Sequence, residues 1–365
     1  CGQDPRWRGK VHELASRGLT LDALLLFYKG LGRDYMEHFE GATSTTEDVV
    51  RGAVVPLSHH EQCAHSEIMM GSKCARPDTM ATHNWSNLYR DLVAAMVAFA
   101  LDETDFEMLA GMLDRDPEQV ERWVRAAGVG SHSFWVCAHC VNQHAGICGG
   151  NPHRSKDSVT GREHEVCGCG LAKAWNDTQP VCRDDGRSIP CEMNKFDDMM
   201  ETLSASDPRF SQLIAVDVEL RLFSRAWCVA EIAAGYRMGV HQRLKTWSLQ
   251  ALEEHEERLR QLRIEDMEAS RKEDRDEILD KISDHAAFDA QLQELLWKDL
   301  VPSWQHMDAA QQMESVGHIV RWHGIARRPG SLRRVVCQQR PGEQSLGADA
   351  DDAISEASRA RTISL

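Results

Sequence analysis

The sequence lacks an apolar run long enough to cross a membrane. Its longest such stretch, residues 92–101, falls well short of the roughly 20 apolar residues that a membrane-spanning helix needs, and Arg90 and Asp91 stand directly before it. Internal repeats and coiled-coil heptads of useful length are missing too. These absences argue against membrane proteins and repeat proteins, and we expect no membrane partner.

Positive charge is also in short supply. The chain has 42 Lys and Arg residues against 57 Asp and Glu residues, which gives a formal net charge of −15. A nucleic-acid binder needs a basic surface for the phosphates, whereas the basic segments here, such as residues 327–334, are short and lie near the end of the chain. We therefore expect no nucleic-acid partner.

Cysteine is abundant but unevenly distributed. Seven of the twelve cysteines fall between Cys137 and Cys191. A chain of 365 residues, 42% of them hydrophobic, can bury a sizeable core and does not need disulfides to hold it together. Local clustering is typical of metal binding or of reduced thiols. We therefore predict a cytoplasmic protein.

The two ends of the chain differ from its centre. The chain begins at Cys1 without a methionine, and we expect the natural N-terminus to be missing. Residues 1–74 form a predicted helical appendage, because apolar residues recur there at helical spacing. Residues 271–330 form a predicted helical extension, whose second helix can be capped by Asp284. Residues 331–365 form a predicted disordered tail.

Strands and helices alternate between residues 75 and 270. Alternation of this kind implies right-handed crossovers and a parallel sheet flanked by helices, which is an α/β fold. Periodicity alone leaves the different doubly wound arrangements open. Strands are predicted at 79–83, 134–138 and 212–220, and with weaker patterns at 243–247 and 262–267; helices are predicted after Ser86 and at 103–113, 117–127, 196–203, 225–238 and 249–261.

One constellation of residues follows the predicted strand at 212–220. Glu231 lies four residues after Trp227 and three after Cys228, so all three share a helix face. In an open parallel sheet, ligands bind beyond the carboxyl ends of the strands, where this helix starts. A carboxylate beside an aromatic ring at such a place can bind a cationic or hydroxyl-bearing ligand. The alternative is an ordinary glutamate on a partly exposed helix.

Three motifs resemble a known family. Ser-Arg-Ala-Trp-Cys-Val-Ala-Glu-Ile (224–232) resembles the Ser-x-x-Trp-Cys-x-x-Glu-Leu motif of TIR (Toll/interleukin-1 receptor/resistance) domains. Phe-Trp-Val-Cys-Ala-His-Cys-Val-Asn-Gln (134–143) is similar to a signature of the fungal heterokaryon-incompatibility (HET) domain, a relative of TIR. Thr-Met-Ala-Thr-His-Asn-Trp (79–85) resembles the opening strand and loop of TIR-like proteins. Over residues 75–270 the chain most resembles the large TIR-like family of unicellular algae.

The resemblance implies a flavodoxin-like, TIR-type sheet and a signalling role. In enzymatic TIR domains the motif glutamate cleaves NAD⁺ at the nicotinamide–ribose bond, so Glu231 becomes the expected catalytic residue and NAD⁺ a substrate, not a cofactor. Self-association through the TIR-like domain is a further expectation. The expected substrate-binding residues are His83, Asn84, Trp85, Trp227, Ser224 and Arg225.

The sequence also departs from these families. Cys137 stands where HET-like sequences have an acidic residue, and residues 83–85 replace the Arg-Gly-Glu-Asp loop of plant TIR domains. The cysteine-rich insertion at about 144–191 has no counterpart in a minimal TIR domain. The alternative function is therefore a non-catalytic TIR-like interaction or scaffold module with a zinc-stabilised insertion.

The cysteine cluster suggests a structural zinc site. Zinc is usually held by two short-spaced pairs of ligands from separate loops, and Cys137-x2-Cys140 with Cys167-x-Cys169 can supply them. Such binding would order an insertion that has few apolar residues of its own. Ordinary reduced cysteines are the alternative. Three further cysteines could substitute as ligands, namely Cys148, Cys182 and Cys191, and histidines stand among them at positions 139, 144, 153 and 164.

Overall fold

A computed structural model of the chain describes residues 4–71, 73, 75–248, 255, 257, 260–268, 275, 276, 279, 282 and 284–299. The predicted tail at 331–365 lies outside these residues, as do most of the predicted helix at 249–261 and much of the predicted extension at 271–330.

A five-stranded, mostly parallel sheet forms the centre of the molecule. Its strands are β1 (Leu19–Thr20), β2 (Thr79–Thr82), β3 (Ser133–Val136), β4 (Ser211–Ala215) and β5 (His241–Lys245), in the spatial order β1-β3-β2-β4-β5. The strands β3, β2, β4 and β5 are parallel, and β1 joins β3 in the antiparallel sense. The predicted α/β fold is confirmed at this level, although the sheet is mixed.

Helices cover both faces of the sheet. One group of packed helices contains α2, α6, α7 and α8, and a second contains α1, α10 and α11. In chain order the helices are α1 (Pro5–Ala15), α2 (Leu21–Gly30), α3 (Thr46–Val49), α4 (Val55–Leu57), α5 (His65–Met69), α6 (Tyr89–Leu101), α7 (Glu107–Arg115), α8 (Pro117–Ala127), α9 (Cys137–Cys140), α10 (Phe196–Ser206), α11 (Ala226–Arg237) and α12 (His285–Asp299). A π-helical turn, Val50–Val54, joins α3 to α4.

The strands β2, β3 and β4 are buried along their whole length. A strand covered on both faces reads as a near-continuous apolar run, which is why the periodicity at 212–220 indicated a strand. Trp135 of β3 is fully buried and donates its indole N–H to the Leu14 carbonyl at 3.0 Å. This side chain therefore belongs to the core and cannot stack on a ligand.

The N-terminal helices pack on the same core as the sheet. Trp7 and Leu14 of α1 are buried in one hydrophobic cluster with Phe134 of β3. Thr20 caps α2 by accepting a hydrogen bond from the Ala23 N–H at 3.3 Å, directly after β1. The segment before β2 thus adds both an edge strand and helices to the α/β unit.

Several predicted helix and strand boundaries are corrected by the structure. The helix expected to be capped by Ser224 begins at Ala226, and the Ser224 hydroxyl instead donates to the Arg221 carbonyl at 2.8 Å. Its predicted end is confirmed, since Gly239 adopts a φ of +67° just after it. The weak strand expected at 262–267 contains a 3-10 turn, Ile264–Asp266.

The cysteine-rich insertion has little regular structure. It begins with two 3-10 turns, Gln143–Ala145 and Ile147–Gly149, and isolated bridges join Lys156 to Glu163 and Val181 to Ser188. Some of its apolar side chains are exposed, among them Val166 and Trp175. Polar contacts, together with the disulfide at Cys182, therefore help to hold this segment in place.

Helix α12 is the last helix among the described residues. Asp284 accepts a hydrogen bond from the Ala287 N–H at 2.9 Å, so the predicted cap is confirmed. Phe288 and Leu292 pack in a hydrophobic cluster with residues that follow β4. Within the described residues, every helix is too short or too polar to span a lipid bilayer.

Candidate functional site

Glu231 lies beside the carboxyl ends of β2 and β4. Its helix, α11, packs against β2, and Thr82, the last residue of that strand, donates its hydroxyl to Glu231 Oε2 at 2.8 Å. Thr82 is paired with Ile214 of β4. Glu231 is only 9% exposed. The carboxyl group is therefore enclosed between the helix and the edge of the sheet.

A directed chain of buried hydrogen bonds ends at this carboxyl group. Gln242 Nε2 donates to Gln212 Oε1, Gln212 Nε2 donates to Thr82 Oγ1, and Thr82 Oγ1 donates to Glu231, each at 2.8 Å. Because the Thr82 oxygen already accepts from Gln212, its proton is directed towards Glu231. Hydrogen bonds arranged in this order polarise one another. The carboxyl is thus held in one orientation.

Burial dominates the protonation of this site. It raises the pKa of Glu231 to about 8, an effect that the hydrogen bond from Thr82 opposes and that Asp197 reinforces. Burial likewise raises the pKa of the Cys137 thiol to about 12 and that of Cys228 well above its ordinary value. At neutral pH the enclosed site therefore carries a neutral carboxylic acid and two neutral thiols.

Two predicted residues after β2 have buried polar atoms that lack partners. Burial lowers the pKa of His83 to about 4, so its ring is neutral. Its Nδ1 lies 3.4 Å from the Ala81 carbonyl, whereas Nε2 has no hydrogen-bond partner among the described residues. Asn84 accepts from the Ser86 N–H at 3.1 Å, but its Nδ2 has no described partner either. Orphaned groups of this kind call for water or a ligand.

Two tryptophans stand near these residues and are half-buried. The Trp85 indole N–H donates to the Cys137 sulfur at 3.3 Å, which links the loop after β2 to the end of β3. Cys228 of α11 donates to the His83 carbonyl at 3.3 Å. Trp227 precedes Glu231 by one helical turn on the same face. The structure thus gathers the residues of all three motifs at one edge of the sheet.

Asp217, which the sequence motifs did not single out, shapes the loop after β4. Its two carboxylate oxygens accept the backbone N–H groups of Arg221 and Leu222, each at 2.8 Å. This arrangement holds the 3-10 turn that leads to Ser224 and Arg225, which are half-buried at the start of α11. Its position, directly after a buried strand and before a turn, was the feature of the sequence that could have identified Asp217.

A cavity of about 390 Å³ lies elsewhere, at the amino ends of the strands. Its lining residues precede β2, β3 and β4, so it does not belong to the Glu231 site. They are Asp78, Gly128, Val129, Ser131, His132, Asp207 and Arg209.

Three cysteines and a histidine of the insertion form a compact cluster. Donor atoms of His144, Cys148, Cys167 and Cys169 all lie within 4.8 Å of one another. The Cys148 and Cys169 sulfurs are 3.6 Å apart, and the Cys167 sulfur is 3.7 Å from His144 Nδ1. Zinc–sulfur bonds of about 2.3 Å in a tetrahedron would separate neighbouring sulfurs by about 3.8 Å. The cluster could therefore hold a metal ion.

The hydrogen bonds around His144 leave its Nδ1 unprotonated and able to bind a metal ion. The Ser58 hydroxyl donates to the Val54 carbonyl at 2.6 Å, so its oxygen accepts from His144 Nε2 at 3.1 Å. A proton on Nε2 leaves the lone pair of Nδ1 free and facing Cys167. Burial, with the nearby His59 and Lys173, lowers the pKa of His144 and keeps the ring neutral. Metal-binding histidines are commonly oriented by such a second hydrogen bond.

Lys173 places a positive charge beside the sulfurs. Its ammonium group lies 3.1 Å from the Cys148 sulfur and donates to the His144 carbonyl at 2.5 Å. Burial raises the pKa of Cys148 to about 11, although Lys173 opposes this effect. Burial also acts to raise the pKa of Cys169, but hydrogen bonds, the first from the Leu171 N–H, outweigh it and lower the value overall. Cys169 is thus the readier thiolate.

The predicted ligand set is corrected in two of its four members. Cys167 and Cys169 belong to the cluster, whereas Cys137 contacts Trp85 and Cys140 donates to the Arg17 carbonyl at 3.0 Å. Both lie on the short helix α9, which begins where a continued strand was expected. Of the substitutes, Cys148 joins the cluster, Cys182 is disulfide-bonded, and Cys191 donates to Asn176 at 3.4 Å. The spacing His144-x3-Cys148 was the missed signal.

Comparison of the chain with protein-family models, with curated proteins and with solved structures found no match. The resemblance to TIR and HET domains therefore rests on the three sequence motifs and stays a prediction.

Proposed function

We propose that the edge of the sheet around Glu231 is the active site of a TIR-like signalling domain that cleaves NAD⁺ at the nicotinamide–ribose bond. The observation that carries this proposal is the position of the Glu231 carboxyl, which accepts a hydrogen bond from Thr82 at the end of β2, on a helix whose Cys228 contacts the next residue, His83. The parallel strands lie in the order β3-β2-β4-β5. The chain passes from β2 to its neighbour β3 on one side and then from β3 to β4 on the other side of β2, so the direction of the connections reverses between β2 and β4. Ligands of open α/β sheets bind at such switch points.

In this reaction the carboxyl group would act on the positive charge that develops on the ribose. As the bond from C1′ of the ribose to the nicotinamide nitrogen breaks, its electron pair leaves with nicotinamide, which departs as a neutral base. Positive charge then develops on the ribose, and water adds to C1′ and loses a proton. Glu231 is neutral at pH 7 while the site is enclosed, so the entry of the cationic ligand and of water must first lower its pKa. The ionised carboxylate would then stabilise the charge on the ribose or bind the ribose hydroxyls, as carboxylates do in glycoside hydrolysis.

The neighbouring residues suit a nucleotide. His83 Nε2 can accept and Asn84 Nδ2 can donate, and neither has a hydrogen-bond partner in the described part of the chain, so the two suit the ribose hydroxyls and an acceptor group of the ligand. Trp85 and Trp227 are the half-buried aromatic rings nearest in sequence to these groups and are candidates to stack on a base. Since Glu231 is enclosed, the surrounding side chains must move before NAD⁺ can reach it.

The test is nicotinamide release from NAD⁺ by the purified full chain at high concentration, where self-association is favoured. Glu231→Gln keeps the shape and the bond from Thr82 but cannot ionise, so we expect release to vanish. Glu201→Gln, on the exposed surface of α10, is the matched control and should release nicotinamide like the wild type. Release that survives Glu231→Gln would overturn the assignment of this residue.

A second candidate function is a non-catalytic TIR-like interaction module. It is favoured by the burial of Glu231 and its bond to Thr82, because a neutral carboxylic acid in such a network can be purely structural. Absence of nicotinamide release from a folded, assembled wild-type sample would decide for this module.

We further propose that the cysteine–histidine cluster holds a structural zinc ion. Three thiolates and one neutral imidazole suit zinc, and closed four-ligand sites are typical of structural zinc. The ion and three thiolates carry a net charge of −1, which Lys173 balances. The ligands come from two successive 3-10 turns, which contain His144 and Cys148, and from the later loop with Cys167 and Cys169, so the ion would join the two ends of the segment 144–169.

Metal analysis of the purified chain tests this second proposal. Cys167→Ser should lose one equivalent of zinc, whereas Cys63→Ser, a cysteine outside the cluster, should lose none. Chelation should also make the insertion sensitive to proteolysis, because it has few apolar contacts of its own. Equal zinc content in both variants would contradict the assignment.

A further inference from the structure

A second group of metal-binding side chains lies on the other side of the insertion. Donor atoms of Asp48, Asp157 and His164 lie within 4.8 Å of one another, and all three residues are buried. Asp48 belongs to α3, while the other two face it from the turn of the insertion at 155–164. A fourth side chain, His38, reaches Asp157 Oδ2 with its Nε2 at 3.0 Å.

Each carboxylate has one oxygen that accepts two hydrogen bonds and a second oxygen that faces a histidine. Asp48 Oδ2 accepts the Thr45 N–H at 2.7 Å and its hydroxyl at 2.8 Å, whereas Oδ1 faces His164 Nε2 at 3.1 Å and also accepts the Ser158 N–H at 3.3 Å. Asp157 Oδ1 accepts the Val159 N–H at 3.1 Å and the Thr160 N–H at 2.7 Å, which leaves Oδ2 for His38. Anchoring of this kind is what orients carboxylate ligands around a metal ion.

Charge balance is the main argument for a cation here. Asp48 is 1% exposed and Asp157 is 6% exposed, and neither forms an ion pair with Lys or Arg within the described part of the chain. The groups within ion-pair distance of these two carboxylates are the imidazoles of His164 and His38. Two neighbouring buried carboxylates without a fixed cation are unfavourable. A divalent ion would neutralise both charges.

The spacing of the donors also suits a small divalent metal ion. Zinc bonds of about 2.0–2.1 Å to nitrogen and oxygen place neighbouring ligands of a tetrahedron about 3.3 Å apart. The 3.1 Å between Asp48 Oδ1 and His164 Nε2 lies close to that value. His38 is 40% exposed and lies outside this group of donors, but its contact with Asp157 Oδ2 can orient that carboxylate.

We propose that Asp48, Asp157 and His164 form a second, sulfur-free site for a divalent transition-metal ion such as Zn²⁺, with His38 orienting Asp157 from the solvent side. A metal ion at this site would connect the turn at 155–164 to α3. The cysteine cluster connects the start of the insertion to Ser58, the residue after α4, through the hydrogen bond of His144. The inference does not depend on catalysis by Glu231.

The experiment counts metal ions in the full chain. The protein is stripped with a chelator, reloaded with excess Zn²⁺, freed of unbound ion and analysed by mass spectrometry. We expect two equivalents for the wild type and one for His164→Gln, which keeps an amide donor for Asp48 but removes the ligand. The matched control is His153→Gln, an exposed histidine of the same insertion, which should keep two.

Cobalt distinguishes the two sites, because only the cysteine cluster gives an intense sulfur-to-cobalt absorption. His164→Gln should keep that absorption, and Cys167→Ser should lose it while retaining one equivalent of metal. If His164→Gln does not fold, His38→Ala at the exposed edge serves instead and should weaken binding at this site by at least about tenfold. A wild type that binds one equivalent, or a second equivalent that survives in both histidine variants, overturns the proposal.

Discussion

The sharpest quantitative prediction concerns the pH dependence of stability at Glu231. Burial raises its pKa from 4.5 to about 8 in the folded chain. Between these values the unfolded chain binds fewer protons at this residue than the folded chain does, so stability falls as pH rises through this window. Below about pH 4.5 the residue is neutral in both states, and above about pH 8 the penalty is constant.

Glu231→Gln removes this penalty while keeping an acceptor for Thr82. One pKa unit corresponds to about 1.4 kcal/mol, so the wild type loses about 3 kcal/mol by pH 7 and about 5 kcal/mol by pH 9 through this residue. These are upper values, because relaxation and water entry reduce the cost of burying a charge. The variant should therefore gain stability relative to the wild type as pH rises.

The assay is urea unfolding of both proteins between pH 5 and pH 9. Other groups with shifted pKa values, such as Lys245, are present in both proteins and cancel in the difference. Glu201→Gln is the exposed control and should track the wild type at every pH. A difference between Glu231→Gln and the wild type that does not change with pH would refute the reasoning.

Two further predictions concern the contacts around this carboxyl. Thr82→Val removes the donor to Glu231, so the pKa of Glu231 should rise further and the free energy of unfolding should fall by about 1–2 kcal/mol, measured by the same denaturant series. Gly235→Ala should lower stability by about 1–3 kcal/mol, because the new Cβ would overlap Gln212 Oε1. In an ordinary helix interior the same change stabilises by about 1 kcal/mol, so a higher melting temperature would show that the close contact with Gln212 is absent.

The sequence predicted the buried strands of the sheet, but it did not predict the edge strand β1 or the start of α9. Periodicity indicated the buried strands because a strand covered on both faces is apolar throughout. The two-residue strand β1 gave no such signal, since only its pairing with β3 defines it. Likewise, nothing local shows that the chain turns into α9 at Cys137, directly after β3.

For the candidate sites too, local motifs could be predicted from the sequence, whereas contacts between distant residues could not. The sequence placed Glu231 at the sheet edge because its motif lies on the helix that directly follows a buried strand. Its partner Thr82 lies on β2, and Gln212 and Gln242, which continue the hydrogen-bond chain, lie on β4 and β5. None of these contacts can be predicted from the motif itself. The choice of metal ligands depends on long-range contacts too: the Cys167 N–H donates to the Cys148 carbonyl at 2.8 Å, which brings two cysteines together across the insertion.

The cysteine cluster and the Glu231 site are joined by one short segment. Gln143, next to the ligand His144, donates to the Cys137 carbonyl at 3.0 Å, and the Cys137 sulfur receives the indole N–H of Trp85. If the cluster holds the proposed metal ion, its removal would free His144, loosen Gln143 and so weaken the contact that positions Trp85. The catalytic and the metal-stabilised interpretations are therefore compatible. Chelation should lower any NAD⁺ cleavage by way of this segment, whereas Glu231→Gln should abolish cleavage and leave the metal content unchanged.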